Sequence, residues 1–125
     1  KIGLIPDSGG TWTLPRLVGM ARAKALALLG NRLSAEQAEQ WGLIYQCVDD
    51  ADLRDEALKL ARHLATQPTY GLALIKRSLN ASLSNSFDEQ LELERDLQRL
   101  AGRSEDYREG VGAFMEKRTP SFKGR

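Results

Sequence analysis

The sequence predicts a mostly α-helical chain of 125 residues, and two observations lead to that prediction. First, residues that cap helix N-termini recur along the chain, and apolar residues follow them at the spacing of one helix face. Second, glycine or proline stands after most of these segments, where helices commonly end. Patterns typical of β-strands are sparse, so we expect helices to dominate.

The first fifty residues are predicted to contain a glycine turn, three short helices and one interior strand. Residues 1–10 are expected to form strand or loop, and Thr11 is a candidate cap for the first helix. The alanine- and leucine-rich second helix should end at Gly30, which suits a left-handed residue. The predicted ranges are 11–18, 20–29 and 34–41 for the helices and 43–48 for the strand, which Ile44, Tyr45 and Val48 support.

The remaining residues are predicted to form four helices and a basic tail. Asp50 or Asp52 begins the first of them, and Pro68 lies at the start of the second. Ser86 with Glu89 matches the capping-box pattern for the third. Ser104 opens the last, which should stop before Thr119–Pro120.

Composition and charge exclude several classes of protein. Lys and Arg total 18 against 17 for Asp and Glu, and such a balanced charge argues against a dedicated nucleic-acid binder. No apolar run approaches the roughly 20 residues of a membrane helix, so we expect no membrane partner. The single cysteine, Cys47, excludes an internal disulfide framework and suits a reducing compartment, so we expect a cytoplasmic protein.

Two isolated residues are the usual candidates for metal or nucleophile chemistry, and neither supports it. His63 is the only histidine and lies within an amphipathic segment, where a structural or solvated role is expected. Cys47 stands in an apolar run and is expected to be a buried, inert thiol. One His and one Cys cannot supply a zinc shell, so no metal site is predicted.

Asp7 is the candidate catalytic residue, and two interpretations of it are open. It follows Ile5–Pro6 and precedes Ser8–Gly9–Gly10 at a helix start. Because Asp is a preferred helix cap and turn residue, a structural role is one interpretation. The other is a carboxylate on the floor of a pocket lined by Leu4, Ile5 and Trp12, which takes and returns a proton.

The C-terminal tail is the candidate ligand-binding segment. Lys117, Arg118, Lys123 and Arg125 follow Glu116 with no further acidic residue, and aromatic residues are interleaved with them. This pattern suits an anionic, ring-bearing ligand such as a nucleotide diphosphate. Cations that only complement a helix dipole would give the same pattern, so both interpretations are open.

Three blocks in this order resemble the enoyl-CoA hydratase/isomerase (crotonase) superfamily. They are residues 3–19 (GLIPDSGGT followed by LPRLVG), residues 28–48 through Leu28–Gly30, Ser34–Ala35, Ala38, Gly42–Leu43 and Val48, and residues 114–124 (FMEKRTPSFKG). Residues 63–69, 93–96, 99–104 and 106–111 resemble one branch of that family, the ring-1,2-epoxyphenylacetyl-CoA isomerases of phenylacetate catabolism. The resemblance covers the whole chain and about the C-terminal half of a family member.

The resemblance implies an α/β fold, the ClpP/crotonase spiral of ββα turns, of which this chain is the mostly helical C-terminal part. Residues 1–50 are then the end of the spiral core with the active-site turn. Residues 51–125 are a helical oligomerisation region, which forms a homotrimer or a dimer of trimers. The opening residues have no partner strand before them, which also led us to expect a larger protein.

The resemblance further implies an acyl-CoA thioester as substrate, with coenzyme A as its handle rather than a separate cofactor. Asp7 matches the acidic position with which family isomerases move a proton along the acyl group. The outcome is double-bond migration, or rearrangement of a ring epoxide to an oxepin. Phe114 and Lys117 match tail positions that contact the nucleotide end of coenzyme A. The oxyanion-hole donors of the family belong to its other half.

Two alternatives accompany the isomerase prediction. Family hydratases commonly carry glycine at the position of Asp7 and use two glutamates further upstream. Because this sequence does not contain those upstream positions, a hydratase is an alternative within the family. The second alternative belongs to a different functional class: a helical oligomerisation module without activity of its own. The apolar helix faces, which exceed what a small bundle needs, favour such association.

Overall fold

The computed structural model describes residues 3–125, so the part of the predicted N-terminal strand or loop at Lys1 and Ile2 lies outside the described residues. Residues 4–7 are irregular backbone before a turn at residues 8–9. The described chain contains seven helices: α1 (Gly10–Val18), α2 (Met20–Leu29), α3 (Ala35–Gln40), α4 (Leu53–Ala65), α5 (Thr69–Ala81), α6 (Phe87–Ala101) and α7 (Glu105–Glu116). They divide into two compact units, one up to Leu53 and one from Arg54 to Arg125.

In the first unit α1 packs on α2, and glycines set the helix boundaries. Gly9, not Thr11, is the N-cap of α1, because its left-handed backbone turns the chain and its carbonyl accepts the amides of Trp12 and Thr13. The prediction that Thr11 caps this helix is therefore wrong. Gly30 is left-handed and closes α2, as predicted.

The predicted strand at residues 43–48 is wrong, because the described residues 41–50 form turns and irregular backbone. The amide of Leu43 donates to the carbonyl of Ala38 at 2.9 Å, and that of Gly42 donates to Glu39 at 2.9 Å. These two bonds form a Schellman closure of α3, with Gly42 at a positive φ of 75°. The amides that would begin a strand therefore end a helix.

In the second unit α5 packs on α6, and the capping box predicted for α6 is present. The Ser86 hydroxyl accepts the Glu89 amide, while a Glu89 carboxylate oxygen accepts the Ser86 amide at 2.7 Å. Between the two helices, the Gln90 side-chain amide donates to the Ser78 hydroxyl at 2.9 Å. Leu97 is the buried residue of α6. These contacts hold α5 and α6 together, and α7 follows them in the chain.

Asp106 in the first turn of α7 binds the C-terminal tail. Its side chain is buried, and its two carboxylate oxygens accept the backbone amides of Lys123 at 2.6 Å and Gly124 at 2.8 Å. Its own amide donates to the carbonyl of Arg125 at 3.0 Å. A buried carboxylate needs such partners, because an unpaired one costs several kcal/mol or neutralises. The tail therefore folds back to the start of α7.

Glu109, one turn further along α7, binds the same tail closer to the helix end. Its carboxylate accepts two bonds from the Arg118 guanidinium, at 2.6 and 2.9 Å, and one from the Ser121 amide at 2.8 Å. We call Asp106, Glu109 and the tail groups that they bind the tail latch. The Arg118 hydrogen bonds, with that of Ser121, lower the pKa of Glu109 to about 2.

Two glycines let the latched tail approach its neighbours closely. Gly124 has a φ of +75°, and a Cβ there would collide with the Thr69 hydroxyl at the start of α5. Gly110 faces the ring of Phe122, which a Cβ would meet at 3.6 Å. The tail residues 122–124 therefore pack against α7 and the start of α5.

Replacing Gly124 by alanine is expected to detach the end of the tail. A left-handed L-residue costs roughly 1–2 kcal/mol, and the added methyl also collides with Thr69. We expect a lower melting temperature and faster hydrogen exchange at the Lys123 and Gly124 amides. Gly112→Ala is the matched control, since its Cβ would meet only Arg118, at 3.9 Å. Equal melting temperatures for the two variants would contradict the close packing of Gly124 against Thr69.

The stabilisation by Glu109 is expected to depend on acid pH. Its pKa in the folded state is about 2, against 4.5 ordinarily, so its ionised form favours folding. That contribution is complete above about pH 5 and falls as the pH drops from 4.5 towards 2. The gap in melting temperature between the parent protein and Glu109→Gln should shrink over that range. A gap that stays constant down to pH 2 would contradict the latch.

Candidate functional site

Asp7 lies on a tight turn that carries it just ahead of α1. Its carbonyl accepts the Gly10 amide at 2.8 Å, and the two residues between them, Ser8 and Gly9, have positive φ values of 51° and 85°. The Ser8 hydroxyl donates to a carboxylate oxygen of Asp7 at 3.3 Å. A left-handed serine is uncommon, and such local strain is often found at functional turns.

The carboxylate of Asp7 does not serve as the helix cap that was one interpretation of it. The N-cap of α1 is Gly9, and no side chain makes a capping hydrogen bond to this helix. Asp7 contributes its backbone carbonyl to the turn, while its side chain is exposed. The carboxylate is therefore available for chemistry at this turn.

The apolar residues around Asp7 form an open surface. Leu4 and Ile5 are 79% and 80% exposed. On α1, the Arg16 guanidinium lies 3.8 Å from the centre of the Trp12 ring and donates to the Trp12 carbonyl at 2.8 Å. This stacking fixes the indole one turn after the glycines. An enclosed pocket over Asp7 stays a prediction.

Phe114 and Lys117 occupy the C-terminal end of α7. Phe114 is 82% exposed and lines a cavity of about 420 Å³, whose other aromatic walls are Tyr107 and Phe122. Lys117 ends the helix in a left-handed conformation, with a φ of 55°. The amide of the next residue, Arg118, donates to the Ala113 carbonyl at 3.0 Å. A residue of the aromatic cavity and a lysine whose backbone is held therefore lie on the same short segment.

Fewer of the basic residues in the tail are unpaired than its sequence indicates. Arg118 forms ion pairs with Glu109 and Glu116 at 2.6 Å, and Arg125 pairs with Glu105 at 3.1 Å. Acidic residues of α7 thus balance both arginines, although no acidic residue follows Glu116. In the described chain, Lys117 and Lys123 are exposed and take part in no ion pair. The cations available to an anionic ligand are these two lysines.

Sequence reasoning missed the role of Asp106 and Glu109. By position alone Asp106 is an acidic residue in the first turn of α7, where such residues commonly only complement the helix dipole. Its partners are 17 and 18 residues further along the chain, and Arg118 is 9 residues from Glu109. The one available signal was their spacing of three, which places both carboxylates on one face of α7.

His63 and Cys47, the remaining candidates, lie in surroundings that do not favour metal binding or nucleophilic chemistry. His63 is exposed on α4. Cys47 is half-buried, and burial followed by the charge of Glu36 raises the pKa of its thiol. Among residues 3–125 no three His, Cys, Asp or Glu side chains are grouped as metal ligands. No helix of that part of the chain is long and apolar enough to cross a bilayer.

The candidate residues belong to different units. Asp7 and its turn lie in the first, whereas Phe114, Lys117 and the tail latch lie in the second. Each group is ordered by contacts within its own unit. The first offers an exposed carboxylate beside apolar side chains, and the second offers an aromatic cavity beside lysines.

Comparison with known proteins gives the same family throughout. The family model described as enoyl-CoA hydratase/isomerase matches residues 1–125. The 1,2-epoxyphenylacetyl-CoA isomerase of Escherichia coli K12 is 66% identical over the whole chain, which covers 48% of that protein. The "Probable enoyl-CoA hydratase" of Rhodobacter capsulatus is 50% identical over the whole chain, which covers 49% of it.

Solved structures agree in fold. An enoyl-CoA hydratase subunit I from Geobacillus kaustophilus HTA426 is 39% identical, with a TM-score of 0.95 over 99% of this chain and 48% of its own. An enoyl-CoA hydratase from Bacillus anthracis is 34% identical, with a TM-score of 0.92 over 99% of this chain and 48% of its own.

The chain thus spans about half the length of the relatives it matches. The prediction of a mostly helical part of a crotonase-like fold is confirmed by these structures and by the helices described above. The match of the family model over every residue, with the identities of the relatives, shows that this chain belongs to the enoyl-CoA hydratase/isomerase family.

Proposed function

We propose that the chain is the part of an acyl-CoA isomerase that carries its proton-transferring carboxylate, Asp7. The observation that carries this proposal is that α1 begins without a side-chain cap, which leaves the Asp7 carboxylate exposed at a strained turn. The name of the relative at 66% identity, 1,2-epoxyphenylacetyl-CoA isomerase, supports this reaction class. The whole-protein substrate is then a CoA thioester with a ring epoxide.

In this proposal Asp7 takes a proton from carbon next to the thioester and returns it elsewhere on the acyl group. Loss of that proton leaves the electron pair as an enolate on the thioester oxygen, which needs hydrogen-bond donors from the rest of the protein. On an unsaturated chain the returned proton completes a double-bond migration. On a 1,2-epoxide of an aromatic ring, the ring carbon–carbon bond shared with the epoxide breaks, which expands the ring to a seven-membered oxepin. The proton taken from the carbon next to the thioester is then returned to a ring carbon, so the product is an isomer of the substrate.

Phe114 and Lys117 are proposed to bind the nucleotide end of coenzyme A. Phe114 offers an exposed ring for stacking, and the ammonium of Lys117 suits a phosphate as a point charge. Lys123 is the second exposed cation of the tail. Coenzyme A enters as part of the substrate, and no separate cofactor is part of the proposal.

A hydratase of the same family is the second candidate function. Relatives named as enoyl-CoA hydratases, at 50% identity and below, favour it. Asp7 distinguishes the two, because the family resemblance associates an acidic residue at this position with isomerases. Water addition to enoyl-CoA at a rate that exceeds isomerisation would select the hydratase.

Self-association and location complete the proposal. Ile75, Leu79, Leu91 and Leu100 are exposed apolar residues of α5 and α6, and uncovered faces of this kind are typical of association surfaces. They support self-association through residues 51–125, which we propose gives a homotrimer or a dimer of trimers as the family resemblance implies. Residues 1–50 are proposed, from the same resemblance, to be the end of the spiral core. The proposed location is the cytoplasm, as suits a metabolic enzyme.

Replacing Asp7 by asparagine in the complete gene product is expected to lower isomerisation of an epoxy or unsaturated acyl-CoA by roughly 10²–10⁴-fold. The amide keeps the shape of the carboxylate but cannot accept and return the proton. Turnover is measured by the change in thioester absorbance or by product chromatography. Asp50→Asn, at an exposed position of the same unit, is the matched control and should keep the parent rate. Full activity of Asp7→Asn, with the fold intact, would end the proton-transfer role.

Replacing Lys117 by asparagine is expected to raise KM for the acyl-CoA several-fold and leave kcat nearly unchanged. Asparagine tolerates the left-handed backbone of this position, so the change removes mainly the charge. Steady-state kinetics at two salt concentrations measure the effect, which should diminish at high salt. Lys76→Asn, on an exposed face of α5, is the control. A fall in kcat with KM unchanged would argue against the binding role.

A further inference from the structure

We infer that Glu109 is a positioning residue for the nucleotide end of the substrate, because its carboxylate fixes the turn on which Lys117 stands. This inference rests on the proposed function. Glu109 itself faces the tail and not a ligand: all of its described hydrogen bonds go to Arg118 and Ser121.

The first step is the backbone of Lys117. Its left-handed conformation ends α7, where glycine is the usual residue, and a lysine there costs roughly 1–2 kcal/mol. The conformation persists only if the residues on both sides are held. The amides of Lys117 and Arg118 donate back to Phe114 and Ala113, at 3.3 and 3.0 Å, which holds the helix side.

The second step is the anchor on the tail side. The Arg118 guanidinium lies between two carboxylates, Glu109 through both oxygens and Glu116 through one at 2.6 Å. Paired bonds between arginine and a carboxylate fix orientation as well as distance. Because Arg118 follows Lys117 directly, its immobilisation leaves the left-handed residue little freedom.

The third step is that Glu109 joins two points of the tail. One of its oxygens accepts both Arg118 and the amide of Ser121, so residues 118–121 are closed into a loop over α7. Asp106 then binds the amides of Lys123 and Gly124 from one turn earlier on the same helix face. Contacts within this chain therefore hold the tail along residues 118–124.

The consequence concerns binding. Phe122, held by this loop, places its ring against Gly110 in the cavity that Phe114 also lines. The latch thus fixes an aromatic wall relative to the backbones of Lys117 and Lys123, the two unpaired lysines of the described tail. A tail ordered in advance does not lose its conformational freedom on binding, so the affinity for the nucleotide end is higher.

The test compares two ligands that differ in that end. In the complete gene product, dissociation constants are measured by calorimetry for coenzyme A and for pantetheine, which lacks the nucleotide. We expect Glu109→Gln to weaken binding of coenzyme A about tenfold, the order expected for loss of a hydrogen bond to a charged group. Binding of pantetheine should not change. A general loss of structure would weaken both ligands alike, so the difference between them identifies positioning.

Two further variants make the outcome decisive. Glu92→Gln removes an equal charge from an exposed face of α6, where Glu92 pairs only with Arg95, and should bind both ligands as the parent does. Arg118→Lys keeps the charge and loses the two-pronged bond, so it should show the selective loss even if Glu109→Gln does not fold. The double variant Lys117→Asn/Glu109→Gln should raise the dissociation constant of coenzyme A by less than the product of the factors found for the two single variants.

Equal loss for the two ligands, or no loss in either latch variant, would overturn the inference while the proposed function stands. Fully multiplicative effects of Lys117→Asn and Glu109→Gln would also overturn it, because Glu109 would then act independently of Lys117. If the parent protein binds neither coenzyme A nor its thioesters, the proposed function fails first and takes this inference with it.

Discussion

The pairing of two α7 carboxylates with the C-terminal tail is the interaction on which the proposed ligand-binding segment depends. Asp106 and Glu109 lie on one helix face and accept three backbone amides and one guanidinium between them. Because these bonds cross from a helix to an otherwise irregular segment, they convert nine residues of tail into an ordered surface. The position of Lys117 and the packing of Phe122 follow from that ordering.

A different constraint operates at Asp7. Two successive left-handed residues, Ser8 and Gly9, turn the chain so that a glycine carbonyl and not a side chain begins α1. The carboxylate is thereby separated from the helix end that it directly precedes in sequence. Left-handed backbone thus occurs beside a helix terminus in each unit separately, at Ser8–Gly9 before α1 and at Lys117 after α7.

Much of the fold could be predicted from signals between residues a few positions apart, whereas contacts between residues distant in the sequence could not be predicted. Gly30 and the Ser86–Glu89 capping box mark helix ends because their hydrogen bonds reach only three or four residues. Residues 43–48 were mispredicted because an apolar run does not reveal that its first amides close the preceding helix. The latch escaped prediction because a carboxylate and an amide 17 residues apart leave no periodic pattern. Asp7 was a candidate from its place before Ser8–Gly9–Gly10, and the family resemblance favoured the proton-transfer interpretation, whereas the absence of a capping bond from its side chain required coordinates.

The most direct measurement of the central claim is a crystal structure of the complete gene product with an unreactive CoA thioester. The account predicts that an Asp7 carboxylate oxygen lies within hydrogen-bond reach, about 2.6–3.2 Å directly or through one water, of the carbon that gives up its proton. It also predicts a CoA phosphate near the Lys117 ammonium and the latch unchanged. A complex in which Asp7 faces bulk solvent, away from the acyl group, would contradict the account.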